Sequence, residues 1–254
     1  MNEGYWKNAS YDEAVHRISE KLASEKQTRH LNDAMHVAIE GLSNTGKSTL
    51  SKSLESKLRD SNFKVVSIEG DLFQKGREET MLVYRRVLEE LGKGIPVPSD
   101  FPSQVWNYHK MQYELFAPLD SFKENRADSG RIVLNNVLIG KKPGTEHTET
   151  YEVDRETLVL TSGMYLRHMR GFDFVLFLDA DPEVLIERKI RRDASLGVKR
   201  DPNMTRDMVE RIEVPAMKKH LAESKNGKGV AVDVNDFNSV SGFNLDNYTS
   251  PYLI

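Results

Sequence analysis

The chain has 254 residues, of which 38% are hydrophobic and 30% are charged, so it can bury a sizeable core beneath a polar surface. This length suits one large domain with an appended segment, and the composition excludes collagen-like, coiled-coil and wholly disordered chains. The formal net charge of -3 provides no general attraction for nucleic acid or anionic membranes, and the absence of cysteine excludes disulfides and thiolate metal sites.

The N-terminal region is predicted to be helical. Residues 10–24 carry apolar side chains at helical spacing, and Ser10 with Glu13 forms a capping pattern in front of them. We expect an extension over residues 1–33 that packs on the edge of the main domain, contacts a second copy or covers an acceptor. The first residues lack a secretion signal, and no apolar stretch is long enough to span a membrane, so we expect a cytoplasmic protein.

Strands and helices are predicted to alternate across residues 34–240. Short apolar runs typical of buried strands occupy residues 35–40, 63–68, 158–161, 174–178 and 230–234. Helical spacing occurs over residues 49–60, 78–91, 182–192 and 208–223. This alternation predicts a three-layer α/β domain in which helices cover both faces of a parallel sheet. Residues 241–254, rich in Asn and Ser, are expected to form a surface tail.

A small β-hairpin is predicted outside the parallel sheet. Residues 131–139 and 150–153 have strand patterns, and the sequence Lys141-Lys142-Pro143-Gly144 is a turn signal between them. Glycine, proline and serine are dense over residues 92–100, which predicts a loop before this region. We therefore expect the hairpin to be an insertion into the α/β domain.

The residues between the first core strand and its helix, GLSNTGKS at positions 41–48, fit the phosphate-binding loop (P-loop) pattern in full. Glycines let backbone N–H groups converge on phosphate oxygens, and the following helix directs the positive end of its dipole to the same point. Lys47 is expected to reach the β and γ phosphates, and the Ser48 hydroxyl to ligate Mg²⁺. The predicted nucleotide-binding residues of this loop are Gly41, Ser43, Asn44, Thr45, Gly46, Lys47, Ser48 and Thr49.

The rest of the sequence narrows the class of nucleotide-binding protein. A switch GTPase would carry an Asn-Lys-x-Asp motif, which does not occur. Phe177-Leu178-Asp179 could end the second diagnostic strand of an ATPase, but it comes late in the chain. The acidic overall charge disfavours an ATPase that depends on nucleic acid. Small-molecule kinases remain, and these transfer the terminal phosphate of ATP to a small acceptor.

The order of motifs from about Met35 to Val234 resembles the uridine kinase branch of P-loop kinases, whose relatives include phosphoribulokinase and bacterial pantothenate kinase. Residues 66–73, VSIEGDLF, are similar to the family's second strand, which ends in an Asp followed by an aromatic residue. The resemblance implies that Asp71 is the catalytic base and helps to hold Mg²⁺. A carboxylate at a strand end can accept a hydroxyl proton beside the γ phosphate. Helix capping is the alternative role for Asp71.

The basic segment from about residue 186 to 203 resembles the family's lid, in which arginines close over ATP. Six basic residues and two acidic ones lie between Glu187 and Arg200, so this segment needs an anionic partner. The resemblance implies that Arg188, Arg192 and Arg200 bind the nucleotide, and that the first two assist catalysis. Residues four apart share a helix face, which lets two arginines address one phosphate chain. A solvated helix with ordinary salt bridges is the alternative.

The acceptor side is the least defined part of the resemblance. Residues 131–153 occupy the place of the family's acceptor-binding hairpin, and the acceptor contacts that the resemblance implies are Phe73, His147 and Tyr165. The sequence departs from the family at Ser162, where a Glu is expected near Mg²⁺. We expect that Glu69, Asp179 or a water molecule replaces that carboxylate, or that the metal site is poorer than in the family.

These observations predict an ATP- and Mg²⁺-dependent kinase that transfers the γ-phosphate to the hydroxyl of a small acceptor. A nucleoside is the expected acceptor, and the aromatic residues available to stack on its base are Phe73, Trp106, Tyr108, Tyr113 and Phe116. A sugar, polyol or cofactor precursor is the alternative, because the segment 77–128 is long and the Glu is missing. A nucleotide-binding regulator without transfer activity is an alternative of another class. Relatives form dimers and tetramers, so self-association is compatible with the resemblance.

Overall fold

The computed structural model describes residues 4–28, 34–123, 128–138, 145–169, 171–224 and 228–252. The strands of these ranges are β1 (Gly4–Ala9), β2 (Met35–Gly41), β3 (Val65–Glu69), β4 (Ser129–Leu138), β5 (Glu146–Asp154), β6 (Leu158–Gly163), β7 (Phe174–Asp179), β8 (Gly229–Asp233) and β9 (Val240–Asn244). The turn predicted at Lys141-Lys142-Pro143-Gly144 lies outside the described residues.

Most strands of the large sheet are followed in the sequence by a helix. They are α1 (Tyr11–Thr28), α2 (Lys47–Asp60), α3 (Arg77–Gly92), α4 (Phe101–Val105), α5 (Tyr108–Met111), α6 (Ala117–Lys123), α7 (Pro182–Ser195), α8 (Pro202–Asp207) and α9 (Val214–Glu223). Short π-helical turns at Gln112–Phe116 and Met208–Glu213 connect α5 to α6 and α8 to α9. A 3₁₀ turn at Gly70–Phe73 follows β3.

Seven strands form one sheet in the order β1-β9-β8-β7-β2-β6-β3. The five strands from β8 to β3 are parallel, and every residue of β2, β6 and β7 is buried, as the apolar runs in the sequence predict. Helix α2 packs on β2, β3 and β6, using the apolar face formed by Leu50, Leu54 and Leu58. The predicted α/β class with a parallel core is confirmed.

The hairpin of β4 and β5 forms a separate two-stranded antiparallel sheet, in agreement with the sequence pattern. A bulge interrupts its register between Leu134 and Val137, where Asn136 has a φ of 53°. The hairpin packs against the π-helical turn that follows α5 and against the 3₁₀ turn that follows β3. These contacts bring the bulge close to the carboxyl end of the sheet.

The edge of the sheet differs from the prediction at both ends of the chain. The N-terminal region contains strand β1 in addition to its helix, and residues 240–244 form β9 instead of a surface tail. Strand β9 pairs antiparallel with β8 and with β1. One sheet therefore includes strands from inside the predicted domain, residues 34–240, and from the segments before and after it. The signal for these strands is weak because their sequences, GYWKNA and VSGFN, contain few aliphatic residues.

Close packing of a tryptophan explains how β1 and β9 are joined. Trp6 pairs with Gly242 in the antiparallel register and is 8% exposed. A Cβ atom added at Gly242 would lie 2.3 Å from the Trp6 indole ring, so glycine leaves the space that the ring fills.

None of the described helices is both long and apolar enough to cross a lipid bilayer.

Replacing Gly242 with alanine is expected to destabilise the fold. The added methyl group must displace the indole of Trp6, and overpacking of this kind costs about 1–3 kcal/mol of unfolding free energy. Chemical denaturation would measure the change. The control is Gly92→Ala at the end of α3, where no atom lies within 4 Å of the new Cβ. Equal stability of the two variants would contradict this account of the sheet edge.

Candidate active site

The P-loop connects the carboxyl end of β2 to the N-terminus of α2. Gly41 pairs with Leu178 in β7, and a Cβ at this position would lie 2.5 Å from the Leu178 carbonyl oxygen. Gly46 has a φ of 93°, a conformation that favours glycine. The two glycines therefore allow the turn to lie tightly against the sheet and then enter the helix.

Lys47 folds back over this turn. Its Nζ donates to the Leu42 carbonyl oxygen at 2.5 Å and to Thr45 Oγ1 at 3.5 Å. Burial lowers the pKa of Lys47 to about 8, while the negative charge of Asp71, followed by that of two glutamates, acts in the opposite direction. The structure thus brings the loop lysine and the predicted catalytic carboxylate into one electrostatic environment.

The loop satisfies the requirements of a phosphate site. Residues Lys47, Ser48 and Thr49 form the first turn of α2, whose backbone N–H groups have no acceptor within the helix. Ser48 and Thr49 are exposed on this turn, and Thr45 is buried, where its hydroxyl donates to the Leu42 carbonyl oxygen at 3.0 Å. Free amides, a helix N-terminus and a lysine are the groups that hold a triphosphate.

Asp71 lies in the 3₁₀ turn directly after β3, at the same end of the sheet as the P-loop. Strands β3 and β2 both pair with β6 in parallel, so their carboxyl ends point to one edge. Gly70 passes so close to β6 that a Cβ there would lie 2.7 Å from the Ser162 carbonyl oxygen. The backbone contact between Gly70 and Ser162 fixes where the Asp71 carboxylate emerges from the sheet.

A buried ion pair beside the loop was not foreseen from the sequence. Glu213, which is 2% exposed, accepts hydrogen bonds from Ser43 Oγ at 2.5 Å, Lys189 Nζ at 2.9 Å and the Tyr84 hydroxyl at 3.1 Å. Burial alone would raise the pKa of Glu213, but Lys189 and these hydrogen bonds lower it. Lys189 Nζ is also 3.5 Å from Ser43 Oγ. The pair therefore ties the basic helix α7 to the P-loop.

The predicted lid contains the end of α7, a turn and the start of α8, and the three arginines predicted to bind the nucleotide have different surroundings. Arg192 Nη1 lies 3.5 Å from Asn44 Oδ1, so it faces the P-loop. Arg200 forms an ion pair with Asp193 at 3.2 Å. Of these two arginines, Arg192 is the one whose side chain extends towards the P-loop.

Arg188 does not share this orientation, contrary to the expectation that it and Arg192 address one phosphate chain. Its Nη2 donates to the carbonyl oxygens of Val234 at 2.7 Å and Asn235 at 3.1 Å. Its guanidinium lies 4.5 Å from the centroid of the Phe237 ring, and that ring would be 3.2 Å from a Cβ at Gly46. Arg188 and Phe237 thus stack at the flank of the P-loop, because the loop after β8 supplies the carbonyl acceptors.

A second buried carboxylate lies beneath the loop. Glu40, the last residue of β2 before Gly41, is fully buried and binds Arg167 Nε and His220 Nε2, the latter at 2.6 Å. Burial alone would raise the pKa of Glu40, but Arg167 and His220 lower it well below its ordinary range. This network joins the end of β2 to α9 and to the turn that follows β6.

The two side chains expected to replace the missing Glu at Ser162 have different environments. Glu69 is exposed at the end of β3 and pairs in register with Ser162, which is itself buried. Asp179 is buried and accepts a hydrogen bond from the Tyr248 hydroxyl at 2.7 Å. Burial raises the pKa of Asp179 to about 6, against the effect of its hydrogen bonds with Ser250 and Tyr248. The C-terminal residues therefore cover Asp179.

A cavity of about 510 Å³ opens beside Asp71. Its walls come from the 3₁₀ turn after β3, the start of the α5 to α6 segment and the bulge of β4. The lining residues are Asp71, Leu72, Phe73, Gln74, Lys75, Gly76, Asn107, His109, Lys110, Tyr113, Glu114, Asn135 and Asn136. A cavity of this size, next to the Asp71 carboxylate, can hold a small molecule.

The predicted acceptor residues are distributed unevenly around this cavity. Phe73 lines it, although only 1% of the residue is exposed. His147 is not a lining residue: its Nδ1 donates to the Val137 carbonyl oxygen at 2.9 Å and its Nε2 lies 3.0 Å from Glu149. Tyr165 is fully buried with a φ of 55°, and its hydroxyl donates to the Glu213 carbonyl oxygen at 3.3 Å. The acceptor contact expected of Tyr165 is therefore replaced by a role in the core.

Within the described ranges, no three His, Asp or Glu side chains converge in a way that could hold a metal ion. Ser48 and Asp71 remain the predicted protein ligands of Mg²⁺. Hydroxyl and carboxylate oxygens suit Mg²⁺, which commonly takes only one or two protein ligands beside substrate phosphates.

Breaking the pair of Glu213 and Lys189 is expected to destabilise the protein. Glu213→Gln leaves a buried ammonium without its anion, which costs about 3–5 kcal/mol of unfolding free energy. The double variant Glu213→Gln, Lys189→Met removes both charges and should recover most of that loss. Chemical denaturation distinguishes the variants, and a double variant as unstable as the single one would contradict the assignment.

Asp179 is expected to make stability depend on pH. Because its pKa is raised in the folded state, native Asp179 binds a proton more tightly than it does in the unfolded chain. Stability should therefore fall as pH rises from about 4 through 6, by about 3 kcal/mol relative to Asp179→Asn. Denaturation at several pH values measures the difference between the two proteins. Parallel pH profiles would show that Asp179 is not the cause.

The similarity of this protein to known proteins is found in its structure and not in its sequence. The sequence matches no protein-family model and no curated protein. The structure is similar to a possible uridine kinase from Bacillus stearothermophilus, with a TM-score of 0.53 and 16% identity over 83% of this chain and 94% of that chain.

Two further solved structures have the same architecture. D-glycerate 3-kinase from Cryptococcus neoformans gives a TM-score of 0.56 at 10% identity, covering 87% of this chain and 95% of that one. Phosphoribulokinase from Rhodobacter spheroides gives 0.50 at 16% identity, covering 88% and 77%. At these identities the likeness concerns the fold, and the chain has the fold of P-loop small-molecule kinases.

Proposed function

We propose that the protein is an ATP-dependent kinase that transfers the γ-phosphate to a hydroxyl group of a small acceptor. The observation that carries this proposal is the placement of Asp71 between the P-loop lysine and a cavity. Asp71 lines the cavity and also acts electrostatically on Lys47. A phosphate donor on one side and an acceptor on the other would thus meet at this carboxylate.

The donor would bind along the P-loop. The amides of the first turn of α2 and Lys47 supply positive potential for the phosphates. Arg192 lies close enough to Asn44 to reach a phosphate held by the loop, and Lys189 stands beside Ser43 on the same side. The stacked Arg188 and Phe237 at the flank of Gly46 offer a planar surface for the nucleotide base.

Phosphoryl transfer mainly requires the protein to position the two reactants and to stabilise the charge on the transferring group. Asp71 would accept the proton of the acceptor hydroxyl while the hydroxyl oxygen attacks the γ phosphorus, the bond from that phosphorus to the bridging oxygen breaks, and ADP leaves. Lys47 and Arg192 would stabilise the negative charge on the transferring group. Ser48 and Asp71 would hold Mg²⁺, and the bound ion would neutralise part of the phosphate charge.

The acceptor cavity supports a polar, hydroxylated molecule more than a nucleoside. Of the five aromatic residues expected to stack on a base, Trp106 and Phe116 are buried in the core, and Tyr113 is the one that is exposed at the cavity. Carboxamides from Gln74, Asn107, Asn135 and Asn136 line the cavity. Because a carboxamide both donates and accepts hydrogen bonds, it suits an alcohol group. We therefore favour a sugar, polyol or cofactor precursor, with a nucleoside as the competing candidate.

The proposal is tested by following ADP release with ATP, Mg²⁺ and a panel of sugars, polyols, hydroxy acids and nucleosides. We expect acceptor-dependent release that falls about 10²–10⁴-fold in Asp71→Asn, because the proton acceptor is lost. The matched control is Asp60→Asn at the exposed end of α2, which should behave as the unmodified protein.

Other outcomes would identify other functions. Slow ATP hydrolysis that is independent of the acceptor and equal in both variants would indicate a nucleotide-binding regulator. Stimulation by DNA or RNA would indicate an ATPase that depends on nucleic acid. Either result would overturn the proposed kinase.

A further inference from the structure

We propose that the acceptor carries a negatively charged group in addition to its hydroxyl, and that Lys110 binds this group. The inference rests on the proposed function, since it concerns the cavity beside Asp71. It selects hydroxy acids and phosphorylated hydroxyl compounds from the wider class of small alcohols. Lys110 would then determine specificity, while Asp71 acts on the hydroxyl.

Lys110 is placed on the cavity wall with most of its side chain removed from solvent. It belongs to α5, its side chain is 15% exposed, and its Nζ lies 5.9 Å from the centroid of the Phe73 ring. The low exposure leaves its ammonium group incompletely solvated, and this burial lowers the pKa of Lys110. An ammonium group in this position gains free energy when an anion approaches it.

The partners of Lys110 among the described residues hold it loosely. Nζ is 3.5 Å from the Asn136 carbonyl oxygen and 3.8 Å from Glu114 Oε2, whereas a charged hydrogen bond is normally about 2.7–2.9 Å long. Lysine is a strongly hydrated cation with three donors. Its donors therefore have capacity for a ligand in the cavity.

The neighbouring carboxylates are engaged by other donors. Glu114 Oε2 accepts a hydrogen bond from the backbone N–H of Asn135 at 3.0 Å, which fixes the β4 bulge. Glu149, whose charge also reaches Lys110, accepts from the Tyr151 hydroxyl and lies 3.0 Å from His147 Nε2. These carboxylates orient the hairpin, and a ligand anion would complete the coordination of Lys110.

The bulge beside Lys110 supports a binding role for this wall. Asn136 adopts a left-handed conformation, which asparagine tolerates better than most residues with a side chain, and bulges are over-represented next to active sites. The bulge places Asn135 and Asn136 together at the cavity. Carboxamides near a lysine and opposite a carboxylate suit a ligand that has hydroxyl groups at one end and an anion at the other.

The experiment compares charged and neutral members of matched pairs as acceptors. The pairs are glycerol 3-phosphate with glycerol, gluconate with glucitol, and uridine 5′-monophosphate with uridine. Two readouts are used for each pair: KM and kcat from ADP release, and calorimetric binding in the presence of a non-hydrolysable ATP analogue. Phosphate and carboxylate pairs distinguish the two sources of negative charge.

We expect the charged member of at least one pair to bind about 10–100-fold more tightly than the neutral one, because a hydrogen bond to a charged group contributes a binding free energy of this size. Lys110→Met keeps the packing against Phe73 and should abolish this preference, with the KM for ATP unchanged. Lys110→Arg should retain most of it because the charge remains. The control is Lys93→Met, an exposed lysine after α3.

The outcomes separate this inference from the proposed function. If the neutral member of every phosphorylated pair is phosphorylated as efficiently as its charged partner, or if Lys110→Met leaves the preference intact, the anion assignment is wrong while the kinase stands. If charged members bind through Lys110 but no phosphate is transferred, the kinase is wrong while the anion site stands. If no charged member binds more tightly than its neutral partner, the inference is overturned.

Discussion

The organisation of the site depends on side chains of opposite charge that lie next to one another around the P-loop. Lys47 is drawn into a partly buried turn, where burial disfavours its positive charge, and the carboxylates of Asp71, Glu213 and Glu40 counteract that effect. Two of these carboxylates are themselves buried, and Lys189 and Arg167 neutralise them. Because a buried charge without a partner is costly, each member of this arrangement constrains the next. The loop is thereby fixed in a shape suited to phosphate before any ligand arrives.

Under the proposed function, one end of the sheet would serve two ligands. Gly41 lies against Leu178 of β7 and Gly70 lies against Ser162 of β6, so the P-loop and the turn that carries Asp71 are both held tightly at the carboxyl end of one sheet. The α5 to α6 segment and the hairpin then enclose the cavity that Asp71 lines. In the proposed kinase, a fixed carboxylate at this position is a form of preorganisation, since little rearrangement would be needed when donor and acceptor meet.

Local patterns in the sequence were sufficient for the parallel core and the P-loop. Strands β2 and β7 are mostly apolar and fully buried, and the loop residues have a fixed spacing between strand and helix. Glu213 and Lys110 could not be recognised in this way, because their environments come from segments distant in the chain. Glu213 meets Ser43 at a separation of 170 residues, and Lys110 meets Asn136 at 26. Tyr165 resembled a site residue by position, yet its left-handed backbone directs the ring into the core.

The pairing of β1 with β9 has a consequence for how the molecule is made. Asn8 and Ser241, which are hydrogen bonded across this edge, are 233 positions apart. During synthesis at about 5–20 residues per second, β1 leaves the ribosome well before its neighbour exists. Its open edge must therefore stay unpaired for roughly ten seconds or more, with Trp6 uncovered. A chaperone or the early docking of α1 would protect that strand from pairing with another nascent chain.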